Sequence, residues 1–577
     1  MTGHDHQATA LSAEAGQVAR GSAINVAAMT FGAILGFGLT VLCTRWLQPT
    51  DAGEFFEMIA LFTILSSSLQ LGADTGLTRW TARARAVGGL AEVRRITLTA
   101  IAPVLAIGAA AIAAVWVAAP LLARVFLHSM DPAHAAAEFR LIAFFVPLGA
   151  VSACLIAGAR GFGRMWPYMA IEGVTKPVLR IALVALALLA GWGLRGAVLG
   201  WSIPVVIGAA ASWLIFSGLI RKEVPAAVPA FSSAGRGGLA AEFWRFAAPR
   251  GLAAVFQIVV LWLDILIVGA ILGSYAAGVY AAVSRLAIIG TFALEGTRLA
   301  IAPRLSSRLA RREHSRAGDL YQSATRLLML ASWPVYLLFA IFPTVTLGIF
   351  GPRYTAGAVA LVIIALAMLV NTGTGNVTVV LLMGGKSSWN VVNTMAALCV
   401  NVGLNLLLLP RIGIAGAAVA WAASILVDNL AAVLEVWWIF GVAPTGRGYG
   451  LVVAVAGGCF GVIGLAFRTA FGQSVLVMAL ALGAGLAVYL PLVYLGRRRL
   501  YLGGLYAALR PGRATAAQRT HGRHRAAPPA RSHGTHSQAR VRSRQPRLSV
   551  LRRRRATLLT HPRRRDGSEG ASGDGPR

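Results

Sequence analysis

Between Ser22 and Gly496 the chain is a succession of about fourteen long apolar segments separated by short polar connections. Segments such as 102–119, 181–191, 255–272, 356–383 and 476–495 are apolar on every face, unlike the one-sided helices of a water-soluble core. A run of roughly 20 such residues, rising about 1.5 Å each, spans the hydrocarbon layer of a bilayer. Only helices and closed barrels satisfy their backbone hydrogen bonds there, and the alternation of a barrel strand is missing. The pattern predicts helices near 20–43, 54–71, 96–118, 140–158, 172–191, 196–219, 251–272, 278–301, 327–350, 356–383, 389–409, 414–440, 451–471 and 475–496. The expected fold class is an all-α polytopic membrane protein with about fourteen transmembrane helices.

Two stretches repeat in register. LQPTDAGEF at 47–55 returns as LGSYAAGVY at 272–280, an offset of 225, and GLRGAVLGW at 193–201 returns as GIAGAAVAW at 413–421, an offset of 220. The first pair falls at the turn between helices one and two of each half, the second at the turn between helices five and six. This predicts two pseudo-repeated six-helix bundles, 20–220 and 251–440, joined by a basic connector at 221–250 and followed by two extra helices in 441–496. An even number of helices per repeat gives both halves the same orientation, and two such bundles can rock about a shared cavity.

Charge sets the expected orientation. With the N-terminus inside, the inner connections carry about three times as many Lys and Arg as the outer ones, which places both termini in the cytoplasm of a multi-pass protein of the cell membrane. The net charge of +32 would suggest a nucleic-acid partner if it were spread along the chain. It is not: residues 497–577 hold 21 Arg against Asp566, Glu569 and Asp574, a net +18 in a Pro-, Gly-, Ser- and His-rich tail without apolar periodicity. That composition predicts a basic, disordered cytoplasmic tail, suited to anionic lipid headgroups or incidental to Arg-biased coding. No nucleic-acid partner is expected. Residues 1–19 are polar and mildly acidic, and the apolar stretch after them is too long for a signal peptide, so it is expected to remain as helix one. Hydrophobic residues make up 57% of the chain, and Cys43, Cys154, Cys399 and Cys459 all lie in apolar segments without metal or disulfide spacing.

Ionisable and amide side chains at bilayer depth are the candidate functional groups, because each needs a partner or a wet cavity. Asp264 and Arg285 lie at similar depth on the antiparallel helices seven and eight, which predicts a pair serving as a gate, an anion contact or a packed structural bridge. Glu295 and Arg298, three apart on helix eight, can pair locally near the inner end. Asp428 and Glu435 share a face of helix twelve, and Asp428 is placed mid-crossing as a protonatable or cation-coupling carboxylate. Glu172, Lys176 and Arg180 recur every four residues at the start of helix five, a charged stripe. Asn390, Asn393, Asn401 and Asn405 form a polar stripe on helix eleven, joined by Asn371 and Asn376 on helix ten. Amides bond sugar hydroxyls and also bind membrane helices to one another.

Three passages resemble bacterial polysaccharide (oligosaccharide-lipid) flippases of the multidrug/oligosaccharidyl-lipid/polysaccharide exporter superfamily. They are RGSAINVAAMTFGAILGFGLTVLCTRWLQPTDAGEFFEMIALFTIL with LGADTGLTRW, then LWLDILIVGAILGSYAAGVYAAVSRL, then LLLLPRIGIAGAAVAWAAS. The resemblance covers about residues 20–496 and implies passage of a polyprenyl-diphosphate-linked oligosaccharide from the inner to the outer leaflet, in cell-surface or exopolysaccharide synthesis. It implies substrate-binding or gating roles for Arg20, Asp264, Arg285, Glu295, Arg298, Asn401 and Asn405, with Asp264, Asp428 and Glu435 as ion-coupling candidates. The arginines fit because guanidinium forks suit phosphate. Membrane lipids are expected partners, with room for a polysaccharide polymerase and glycosyltransferases; no cofactor or metal is expected. The rivals are a peptidoglycan lipid-precursor flippase, a drug or cation exporter, and a membrane polymerase or ligase. The enzyme reading is weakened by the short outer connection at 119–139, where His128, Asp131, His134 and Glu138 form no recognisable catalytic arrangement. No phosphate-binding Gly loop or nucleophile elbow occurs either.

Overall fold

A computed structural model describes residues 30–87, 90–126, 132–223 and 236–496. Arg20, the segment 1–19 and the tail 497–577 lie outside the described residues, and with them the expectations placed there. No strand occurs among the described residues. The first half comprises α1 (Thr30–Trp46), α2 (Pro49–Leu69), α3 (Ala73–Ala86), α4 (Val93–Phe126), α5 (Pro132–Gly161), α6 (Trp166–Tyr168), α7 (Lys176–Leu189) and α8 (Gly193–Glu223). The second comprises α9 (Arg236–Leu272), α10 (Ser274–Ile288), α11 (Thr291–Ala310), α12 (His314–Ile341), α13 (Pro343–Leu347), α14 (Ala358–Thr374), α15 (Val377–Met383), α16 (Ser387–Ile412) and α17 (Ile414–Phe440). Then come α18 (Tyr449–Ala456), α19 (Ile463–Phe471) and α20 (Val475–Gly496).

Among the described residues, twelve spans are long and apolar enough to cross a membrane. The shorter α1 and the continuous helical run 166–189 bring the segments to the expected fourteen, in the expected order. Several bounds differ, among them helix nine, which spans His314–Ile341 and not 327–350, and two of the differences have visible reasons. Helix two starts at Pro49, not near 54, because proline at the first helical position has its φ already set and lacks only an N–H that would go unbonded. Helix seven starts at Arg236, not near 251, because Phe243 and Ala247 are buried where α9 meets α3, with Phe243 beside Trp80. Three of the thiols are buried as expected; Cys399 is exposed on α16.

Breaks within crossings are built by identifiable residues. The second crossing breaks between α2 and α3, where Leu71 and Gly72 adopt φ of 51° and 79° and the backbone rests against Gly251 of α9. Its counterpart in the other half, the eighth crossing, breaks between α10 and α11 at Gly290. A side chain there would strike the ring of Tyr336, whose hydroxyl donates to the Ala287 carbonyl at 2.6 Å. The repeated turn is preserved as well: Gly193 and Gly413 open it with φ of 55° and 62°, a left-handed conformation in which a side chain would be strained.

The two bundles meet where the first sequence repeat meets itself. A methyl group at Gly278 of α10 would stand 2.7 Å from the Pro49 carbonyl oxygen and 3.1 Å from the Gly53 nitrogen of α2. One at Gly53 would strike the Ser274 carbonyl and approach the Gly278 nitrogen. Gly53 and Gly278 are equivalent in the repeat, as are Pro49 and Ser274, so the contact is reciprocal, as across a two-fold axis. Lipid offers no hydrophobic drive for helix association, so bare backbones in close contact supply it by packing. Nearby, Arg45 at the end of α1 donates to the carbonyls of Ile349 and Gly348, at 2.8 and 2.6 Å, tying the halves together at this end. The last crossings pack on α12: the Tyr489 hydroxyl donates to Leu330 O at 2.8 Å, and Arg468 donates to Ile341 O at 2.7 Å.

Gly53→Val and Gly278→Val are each expected to lower the melting temperature of the purified protein by several degrees, since overpacking costs about 1–3 kcal/mol. Gly36→Ala, whose methyl meets nothing within 4 Å, should not lower it. Thermal melts in detergent check both, and unchanged melting in the two valine variants would refute the seam.

Candidate functional site

Two buried polar centres lie among the crossing helices, one in each half. In the second half, Asp264 of α9 is 3% exposed and is bound by donors from two other helices. The Tyr280 hydroxyl of α10 donates to Oδ2 at 2.9 Å. On α16, Asn401 donates to Oδ2 at 3.3 Å and Asn405 to Oδ1 at 2.8 Å. Asn401 and Asn405 sit one turn apart, both fully buried, so this end of the expected asparagine stripe converges on the carboxylate. The Asn405 Oδ1 is buried without a hydrogen-bond partner. Asp264 therefore sits in a cage of amides and a phenol.

The expected Asp264–Arg285 bridge does not form. Arg285 instead stacks over Trp262, 4.5 Å from the ring centre. Depth brought the two residues level, but Trp262 and Asp264 are two positions apart on one helix and so face different ways. Arginine took the aromatic face, and the carboxylate took the amides.

The other expected residues are placed as follows. Glu295 and Arg298 pair at 3.1 Å, both about half exposed at 45% and 49%, as a local surface bridge on α11. Glu435 accepts from Asn393 at 2.8 Å. Asp428 is partly buried, with its Oδ1 unpartnered. Asn371 bonds Asn429 of α17 at 3.0 Å, so amides do join helices here. Glu138 pairs with Arg195 at 3.6 Å. Among the described residues no three His, Cys, Asp or Glu side chains gather as a metal site.

In the first half, a cavity of about 320 Å³ opens among α2, α3, α5, the 166–189 run and α8. Glu172, Lys176 and Arg180 line it, joined by Asp74 and Arg160. Lys176 is only 5% exposed, bonded to Glu172 one turn before it and 3.5 Å from Ser152 Oγ. Arg180 lies over Trp201, 4.1 Å from the ring centre, and Arg160 lies 5.5 Å from the centre of the Tyr168 ring. The charged stripe was visible in the sequence as an i, i+4, i+8 spacing; its enclosure was not. Sequence reasoning also passed over Glu57 of α2, buried at the seam with Oε2 3.4 Å from Ser274 Oγ. The missed signal was an acid two residues past the repeat, at the start of an apolar run.

A sequence model of the polysaccharide biosynthesis protein family matches residues 18–309, just over half of the chain. The chain belongs to this family. No curated protein matches it by sequence. Among solved structures, the lipid II flippase MurJ in an inward closed conformation superposes with a TM-score of 0.65 at 13% identity, over 82% of this chain and 99% of that one. A multidrug resistance MATE transporter of the MOP superfamily, inward-facing, superposes with a TM-score of 0.56 at 14% identity, over 70% and 93%. A MOP superfamily transporter from Pyrococcus furiosus gives 0.53 at 16% identity, over 73% and 94%. At these identities the likeness is one of fold, so this polysaccharide biosynthesis family member has a MurJ- and MATE-like fold.

Asp264→Leu would orphan three donors, at about 1–3 kcal/mol for each that stays buried, and should melt below Asp264→Asn, which keeps an acceptor. A double-mutant cycle of thermal melts should show Asp264 and Asn405 coupled by about 0.5–3 kcal/mol, and Asp264 and Arg285 additive within about 0.5 kcal/mol. The opposite ranking would restore the bridge.

Proposed function

We propose that the protein moves a polyprenyl-diphosphate-linked oligosaccharide across the cytoplasmic membrane, for cell-surface polysaccharide biosynthesis, by alternating access and without catalysing a reaction itself. Both termini lie in the cytoplasm in this reading, on the side of the basic connections. The observation that carries it is the reciprocal Gly53–Gly278 seam, which joins two like bundles while each keeps buried charged or amide groups at bilayer depth. A packed seam between two rigid bundles supports rocking motion, and buried polar groups support passage of a polar cargo. Arg285 and Arg298, with Arg20, are the proposed contacts for the diphosphate, since guanidinium groups match phosphate oxygens.

Asp264, in its cage with Asn401 and Asn405, is the proposed ion-coupling centre. Its oxygens and the free Asn405 Oδ1 suit a proton or a small hard cation. Asp428, near Glu435, is a second candidate. Membrane lipids are proposed partners, and a polysaccharide polymerase and glycosyltransferases would work upstream and downstream. A lipid-linked peptidoglycan precursor is the second reading, favoured by the greater coverage and TM-score of the lipid II flippase over the MATE transporters.

Depletion of the protein is expected to trap lipid-linked oligosaccharide in the inner leaflet while peptidoglycan precursors still reach the outer one; a leaflet-specific labelling assay reads both. Precursor trapping instead would shift the cargo to the second reading, and unchanged delivery of both would refute transport. In the same assay Asp264→Asn should reduce accumulation roughly fiftyfold at 100 mV, because one coupled charge contributes about 2.3 kcal/mol there. Full accumulation would remove Asp264 from the coupling.

A further inference from the structure

The first-bundle cavity has the chemistry of a binding site in its own right. Three cations, Arg160, Lys176 and Arg180, face two carboxylates, Asp74 and Glu172, so the lining is one positive charge in excess. Arg160 Nε is buried without a hydrogen-bond partner. Arg180 and Arg160 cover ring faces of Trp201 and Tyr168, while Ser66 and Ser67 of α2 and Gln70 just past its end supply hydroxyl and amide groups. Clustered hydroxyls and amides suit a sugar, and the cationic excess suits an oxyanion on it. At about 320 Å³ the space sits at the small end of ligand pockets, of a size for one sugar unit and not an oligosaccharide.

The Lys176–Glu172 pair gives this cavity a feature beyond its composition. Residues Met169–Thr175 form a π-helical turn, a strained insertion that recurs at functional sites, and Glu172 lies within it. Lys176 is the first residue after the turn, and its stem occupies the notch left by Gly208 of α8, where a methyl group would collide with it. The lysine is therefore held by the fold, while its counterion rides on the irregular turn. The same turn touches α1: a methyl group at Gly32 would stand 3.1 Å from the Gly173 carbonyl oxygen. A carboxylate paired with a buried lysine, and carried on the π turn of its helix, is an internal stand-in for an external anion.

We propose that this cavity binds one oxyanion-bearing sugar unit of the cargo, carrying a carboxylate or a phosphate ester, by exchanging the Glu172 carboxylate for it on Lys176. Arg180 and Arg160 complete the anion's contacts, and the hydroxyl and amide groups of Ser66, Ser67 and Gln70 take the sugar. This rests on the flippase reading above and narrows its substrate class to oligosaccharides with an acidic or phosphorylated residue.

The test uses the full-length protein in lipid nanodiscs, titrated calorimetrically with glucuronate, glucose 6-phosphate and glucose. Binding of one or both charged sugars, with no heat from glucose at the same concentration, is expected; which of the two binds identifies the source of the oxyanion. Lys176→Met and Arg180→Gln should each weaken that binding by about tenfold or more, the effect of losing a charge-assisted hydrogen bond. Glu172→Gln should strengthen it about tenfold by removing the competitor. Arg160→Gln leaves the Lys176–Glu172 pair intact and serves if the lysine variant fails to fold; it too should weaken binding. A purely structural ion pair gives a different result: Glu172→Gln melts lower and gains no affinity. That result, or equal binding of all three sugars, or no binding by the wild type, overturns the proposal. Leaflet delivery in the same variants separates the two readings. Transport without anion binding removes this inference alone, and anion binding without transport by the wild type removes the flippase reading alone.

Discussion

The close approach of α2 and α10 is the constraint on which the rest of the structure depends. With no side chain at Gly53 or Gly278, the two backbones come into direct contact, and nothing larger than hydrogen fits between them. The polar groups near the seam take their places from that contact. Glu57 lies one turn past Gly53 on the same face of α2, so it is carried into the interface, against the bare backbone of Gly269 and the Ser274 hydroxyl. Tyr280 lies two residues past Gly278 and so points the other way, into the second bundle, where its hydroxyl meets Asp264. One helix pair thus sets a buried acid at the seam and a phenol against the acid behind it.

The duplication built a common scaffold, and the polar groups were then divided between its halves. In the first half Glu172, Lys176 and Arg180 line a cavity; at the offset of 220 residues stand Val392, Ala396 and Val400. In the second half Asn401 and Asn405 hold Asp264; at the same offset the first half has Ile181 and Ala185, and Leu39 stands opposite Asp264 at the offset of 225. Each bundle is apolar where the other is polar. Neither centre is needed to make the fold, since the other half makes the same fold without it. Intramembrane polar groups are costly, so groups absent from one copy of a scaffold and kept in the other point to roles that differ between the copies.

This division also explains how much of the molecule was legible beforehand. Crossing length and apolarity are imposed by the bilayer, so the number and order of crossings could be read from 22–496 directly. The repeat that supplies Gly53 and Gly278 was legible, but that its two copies pack against each other was not, because a repeat fixes equivalence and says nothing of contact. The depth of Asp264 and Arg285 was legible too, but depth is one coordinate and contact needs two. The direction in which each residue faces depends on the partners that compete for it: Asn401, Asn405 and Tyr280 for the carboxylate, Trp262 for the guanidinium. The cavity was harder still. Its charged stripe was plain, yet enclosure depends on a π turn that shifts the register of the helix and on the notch at Gly208, neither of which has a periodic signature.

A polar centre in each half raises the question of how either could sense the other. The first-bundle cavity is walled by Phe62 and Ser66 of α2, the same helix that carries Gly53 and Glu57 into the seam. On the far side of the seam, α10 carries Gly278 and then Tyr280, which holds Asp264. A continuous run of packed helix therefore leads from the cavity to the caged carboxylate through the glycine crossing. Being in between does not make this route a pathway; a pathway needs an element with two arrangements that both sites bias. The crossing has one property such an element needs, because it lacks slack. Flexible side chains at an interface absorb small displacements by changing rotamer, whereas two bare backbones in contact must slide or turn as units. A displacement of α2 at the cavity would thus reach α10, and with it the hydrogen bond on Asp264, without loss in side-chain rearrangement.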